Sequence, residues 1–87
     1  MVQKVQVKMS KQGLTPRQSD IYRFLVAYHK EYGVYPSMRE IAEGKIEGEQ
    51  VITKVSASSA VKLTLDRLES RGWIRKGKHI PRGLEVL

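Results

Sequence analysis

Two short signals restrict this chain more than anything else in it: Thr15-Pro16-Arg17-Gln18 and Ser37-Met38-Arg39-Glu40. Each is a capping box. The hydroxyl accepts from a backbone N–H left open at a helix start, and the Gln or Glu three residues on bonds back to the cap's own N–H. Pro16 strengthens the first box, because the first helical residue has no use for an N–H. Between the boxes, Gly33 offers a helix stop and Tyr35-Pro36 an extended link, since the residue before a proline is kept out of helix. One helix must therefore end, and a second begin, across a link of a few residues.

The apolar pattern follows this punctuation. Ile21, Phe24, Leu25, Tyr28 and Tyr32 recur at helical spacing in the first helix, and Met38, Ile41 and Ala42 form the apolar side of a short second one ending at Gly44. Residues 44–55 read as a loop or small hairpin anchored by Ile46, Val51 and Val55. Ser56, Ser58 and Ser59 offer N-caps for a third helix, on which Val61, Leu65 and Leu68 form a buried stripe with Thr64 beside them and Arg71-Gly72 at the end. The tail predicts a β-hairpin, Trp73-Ile74-Arg75 against residues 84–87, with a connection too long for a two-residue turn. Trp73 is expected to lock this hairpin onto the helices. The fold expected is mainly α with a small β-hairpin: a three-helix winged helix-turn-helix over residues 14–87. Residues 1–13, with Val5, Val7 and Met9 alternating among polar residues, predict either a strand or a basic arm.

Charge narrows the function. Sixteen Lys and Arg against nine Asp and Glu leave a formal net charge of +7 on 87 residues. The excess lies at both ends and along 54–72, whereas 37–53 is net acidic through Glu40, Glu43, Glu47 and Glu49. A basic domain of this kind points to an anionic partner, above all double-stranded DNA. The length suits one domain, too small for a large substrate cavity. The chain has no cysteine, no apolar run near the roughly 20 residues of a bilayer span, and no signal-peptide core, so a cytoplasmic location is expected. No enzyme is expected either. His29 and His79 are the only histidines and fall in unrelated elements, and there is no phosphate-cradling glycine loop or metal-ligand spacing. No cofactor, metal or small-molecule ligand is implied.

A helix that reads DNA needs small, polar and basic residues on an exposed N-terminal half, to sit deep in a major groove about 12 Å wide. Ser56, Ala57, Ser58, Ser59, Lys62 and Leu63 meet that need and are the candidate base-contacting residues. Arg39, Lys54 and the wing residues Lys76, Lys78, His79 and Arg82 are the candidate backbone contacts. Binding as a homodimer on two half-sites is expected, because this motif usually works in pairs. The competing reading is a winged-helix adaptor that binds protein through Leu63 and the acids of 44–55.

Four blocks also resemble a known family: Leu14-Thr15-Pro16-Arg17-Gln18; Tyr35-Pro36-Ser37-Met38-Arg39-Glu40-Ile41-Ala42; Ser59-Ala60-Val61 with Leu65-Asp66-Arg67-Leu68-Glu69-Ser70-Arg71-Gly72; and Arg82-Gly83-Leu84. In this order they are similar to the N-terminal DNA-binding domain of the LexA repressor family. The resemblance spans residues 14–87 and implies a winged helix-turn-helix that binds operator DNA and represses transcription. It implies no peptidase activity here, because the family's C-terminal self-cleaving domain, which supplies dimerisation, has no counterpart in this chain. Two departures stand out. The 44–55 connection is longer than the family's by several residues. The family's asparagine and two adjacent glutamates on the recognition helix align with Ser59, Lys62 and Leu63, so a different operator sequence is expected.

Overall fold

The computed structural model describes residues 13–77 and 81–87. The strand or arm expected at 1–12, and Lys78 and His79 in the wing, lie outside the described residues. The element order is α1 (Pro16–Tyr32), α2 (Met38–Glu43), β1 (Lys45–Ile46), β2 (Glu49–Gln50), α3 (Ser58–Ser70), β3 (Ile74–Lys76), a short 3-10 turn (Pro81–Gly83) and β4 (Leu84–Val86). Among the described residues β1 pairs only with β2, and β3 only with β4, both antiparallel. The three-helix winged helix-turn-helix is therefore present, with a second small hairpin between α2 and α3.

Both capping boxes close in both directions. Thr15 Oγ1 accepts from the Gln18 N–H at 3.1 Å while Gln18 Oε1 accepts from the Thr15 N–H at 3.1 Å. Ser37 and Glu40 do the same at 3.3 and 2.7 Å. The Gln18 side chain is buried, so the first box is also part of the interior. Its hydrogen bond to the chain explains how a polar group tolerates that site.

The core is Ile21, Phe24 and Leu25 from α1, Ile41 from α2, Val55, then Val61, Leu65 and Leu68 from α3, closed by Ile74 and Leu84 of the C-terminal hairpin. The α3 stripe touches α1, α2 and β3 alike. Trp73 lies just before β3 and is half-buried, its ring edge-on to Tyr22 at 4.6 Å. Its N–H donates to the Leu68 carbonyl and its carbonyl accepts from Leu87, both at 3.0 Å, which joins α3 to the hairpin.

Several sequence expectations need correction. Met38 is 41 % exposed, leaving Ile41 to anchor α2. Val51 is 48 % exposed, and Ile52 packs in its place. The alternation is shifted because the 44–55 segment turns tightly. Glu47 and Gly48 both take positive φ, +53° and +80°, the pattern of a two-residue hairpin turn. The chain then passes back over Gly44, whose N–H caps α2 by donating to the Glu40 carbonyl at 3.0 Å. A Cβ on Gly44 would stand 2.7 Å from the Ile52 carbonyl oxygen, so backbone conformation and space both demand glycine there.

Two substitutions test this packing. Gly44→Ala is expected to destabilise by roughly 2 kcal/mol or more, since strain and a backbone collision add. Gly33→Ala, also at positive φ but with open space around it, should lose only roughly 1 kcal/mol. Equal shifts in thermal unfolding would show that the chain over Gly44 yields freely. Trp73→Ala should cost roughly 2–3 kcal/mol, less than the loss of a fully buried aromatic, seen as a Tm lower by several degrees per kcal/mol. An unchanged Tm would remove Trp73 from the packing that joins α3 to the hairpin.

Candidate nucleic-acid interface

The first turns of α3 hold most of the residues that the sequence singled out for base contact. Ser56, Ala57, Ser58, Ser59, Lys62 and Leu63 are all exposed and lie along the entry and first turns of the helix, with Ala60 and Val61 between them turned inward. On a 100° helical wheel, Ser59, Lys62, Leu63 and Asp66 stand opposite Val61, Thr64, Leu65 and Leu68, which are buried. The serines were expected as caps. Instead the N-cap is Ala57, with no side-chain hydrogen bond to the helix. Capping therefore does not account for three serines within four positions, and the N–H groups of the first turn have no side-chain acceptor at the cap.

The long connection between α2 and α3 does not separate the two helices. The Val55 N–H donates to the Ala42 carbonyl at 2.8 Å, and those of Val51 and Ile52 to the Gly44 carbonyl at 2.8 and 3.3 Å. The chain leaves α2, makes the β1–β2 hairpin, and is pinned back beside its point of departure. Ile41 and the α3 stripe remain in one core. The hairpin leans on α1, where the Tyr32 hydroxyl accepts from the Glu47 N–H at 2.9 Å. Between them runs a shallow groove lined by Phe24, Ala27, Val51 and Ile52.

Two carboxylates organise the cations. Asp66 accepts from Lys62, its neighbour one turn earlier, at 3.3 Å, and from Lys76 of β3. The Lys76 ammonium also lies 3.9 Å from Glu69, whose carboxylate accepts the Lys76 backbone N–H at 3.0 Å. The hydrogen bonds from Lys76 and then Lys62 hold the Asp66 carboxyl below its ordinary value. The second organiser is Glu40. It caps α2 and also receives the Arg82 guanidinium, which donates in addition to the Tyr35 carbonyl. Partial burial works against its ionisation. The Ser37 N–H, Arg82 and the Tyr28 hydroxyl outweigh that burial and lower its pKa. Arg82 reaches this position from a left-handed backbone, φ +57°.

The sequence-derived residues thus fall into groups. The residues at the entry and first turns of α3 are each exposed. Arg39 on α2 and Lys54 ahead of α3 are exposed. Lys62 and Lys76 are brought together on Asp66, while Arg82 turns back onto α2. Asp66, Glu69 and Glu40 were not singled out as site residues. The Lys62–Asp66 spacing of one helical turn was a legible signal. The Lys76 and Arg82 partnerships were not, because they join residues 10 and 42 positions apart. Among the described residues no group of His, Cys, Asp or Glu could hold a metal ion, and no helix is long and apolar enough to cross a membrane.

Residues 11–83 match the family model described as LexA DNA binding domain. The LexA repressor of Listeria welshimeri is 39 % identical over 74 residues, 85 % of this chain and 32 % of the relative. That of Exiguobacterium sibiricum is 41 % identical over 80 residues, 92 % of this chain and 33 % of the relative. That of Geobacter metallireducens is 35 % identical over 74 residues, again 85 % of this chain and 33 % of the relative. The chain spans about a third of the length of the curated relatives it matches.

Asp66→Asn removes the one acceptor that Lys62 and Lys76 share. The Lys62 pair is exposed and the half-buried Lys76 keeps Glu69 as a partner, so the loss should be only roughly 0–1 kcal/mol and Tm should change little. Affinity for random duplex DNA should rise, and the log–log salt slope should steepen by about 0.9 for each phosphate newly contacted. A slope identical to that of the unaltered chain would place both lysines off the path of the duplex.

Proposed function

The chain belongs to the LexA DNA-binding domain family, and from that premise we propose that it is the operator-reading domain of a transcriptional repressor, acting on double-stranded DNA in the cytoplasm. In this reading α3 enters the major groove with Ser56 to Ser59, Lys62 and Leu63 facing the base edges. Arg39 and Lys54 meet phosphates on the flanks. The wing, with Lys76, Lys78, His79 and Arg82, follows the backbone or minor groove beside it.

The observation that carries the proposal is the start of α3: an exposed, small-residue helix entry with no side-chain cap, on a helix whose other side is the domain core. Small residues permit close approach of the helix, and open N–H groups attract phosphate. Lys76 and Arg82 are engaged within the domain, which suits a second role as much as it hinders one. An exposed ion pair is weak enough for a phosphate to displace its carboxylate. A single domain of this size buries roughly 600–1,000 Å² on DNA. We therefore infer a pair of domains on two half-sites as the tight-binding form.

The test is enrichment of duplex sequences from a random pool, followed by titration of the best site at several salt concentrations. A defined site bound with a steep salt slope is expected. No enrichment, together with salt-insensitive capture of protein partners, would favour the adaptor reading. Within the enriched site, Lys62→Ala should cost about 1–3 kcal/mol against much less on random DNA. Equal losses on both would restrict Lys62 to the sugar–phosphate backbone.

A further inference from the structure

Leu63 is 54 % exposed, on the face of α3 directed away from the core. An exposed leucine by itself carries no message, because folded surfaces hold many. Its neighbours give this one meaning. Ser59 lies one turn before it and Asp66 and Arg67 one turn after, all polar, and Lys62 beside it is bonded to Asp66. Leu63 is thus the one large apolar side chain on the solvent face of α3, at the C-terminal end of the set proposed for base contact.

The chemistry of the major groove leaves it few options. A leucine neither donates nor accepts, so it cannot read the edges of guanine or adenine or the cytosine amino group. What it can recognise is the C5-methyl group of thymine, the groove's apolar feature. The four-carbon side chain also reaches further than Ser59, so its contact should come from the base pair that the second turn of α3 crosses. We propose that Leu63 is a specificity-determining residue that selects a thymine in each half-site through its methyl group. This inference rests on the DNA-binding reading above and deepens it.

The experiment uses the duplex enriched from a random pool by the full chain. Each thymine is replaced in turn by deoxyuridine, which deletes the methyl group and keeps every hydrogen-bonding edge. One position per half-site should then weaken binding about four-fold, the equivalent of one apolar carbon removed from contact. With Leu63→Ala that position should bind thymine and deoxyuridine equally, while preferences at the other positions persist. Because Leu63 lies outside the core, its thermal unfolding should match that of the unaltered chain and confirm that the variant is folded. A Leu63→Ala profile that keeps the same methyl dependence overturns the inference, as does an enriched site with no methyl-sensitive thymine, and in both cases DNA binding stands. Failure to enrich any duplex removes the DNA-binding reading itself.

Discussion

The structure depends on a single apolar stripe. Val61, Leu65 and Leu68 of α3 are the surface on which α1, α2 and the C-terminal hairpin all close. A domain this short has little apolar surface to spare, so one helix must serve every neighbour. That economy also fixes the other side of α3. With the stripe committed inward, Ser59, Lys62, Leu63 and Asp66 are obliged to face solvent. The surface proposed for recognition is thus the reverse of the core. The proposed function and the stability are thereby joined through the backbone geometry of one helix.

Acidic side chains perform a different task. In a domain with net charge +7, the interface would be expected to need cations only. Yet Asp66 and Glu40 sit among them. Asp66 accepts from Lys62 of α3 and Lys76 of β3, and Glu40 from the Ser37 N-cap and from Arg82 in the turn before β4, so each ties the C-terminal segment to α3 or α2. Their worth lies less in stability, which exposed pairs supply sparingly, than in holding Lys76 and Arg82 in defined positions. A cation held at a known place, yet weakly, is suited to exchange its carboxylate for a phosphate.

The β1–β2 hairpin shows how a helix-turn-helix absorbs extra chain. A longer connection carries only a slowly growing entropic cost, provided that its ends are brought together. The bond from Val55 to Ala42 and those made to the Gly44 carbonyl do this. The acids Glu47 and Glu49 are then carried out beside α1, on an element separate from the α3 patch. Glu47 and Glu49 are thus kept on the hairpin, whereas the acids of α3, Asp66 and Glu69, are matched by Lys62 and Lys76.

Local chemistry was written plainly in the residues. The two capping boxes, Gly33 and Gly44 at positive φ, and the period of the α3 stripe are short-range features, and each came out where its neighbours in the chain dictate. A hydrogen bond between residues three apart needs no tertiary structure to be foreseen. The exposure of Ser59, Lys62 and Leu63 followed from the same periodicity, because a helix with one face buried has only one other face. What the tertiary structure decided was everything that joins distant residues. Val51 and Ile52 exchanged places because a two-residue turn at Glu47-Gly48 set the register of the return strand. The serines lost their capping role because the chain enters α3 by way of Ala57. Lys76 and Arg82 were directed to Asp66, Glu69 and Glu40 because the hairpin folds back over α3 and α2, an arrangement that depends on burying Ile74 and Leu84. Sequence spacing fixes a side chain's direction on its own element. Its partner is fixed only when the elements pack, because the burial that drives packing is non-directional and many pairings share the same pattern.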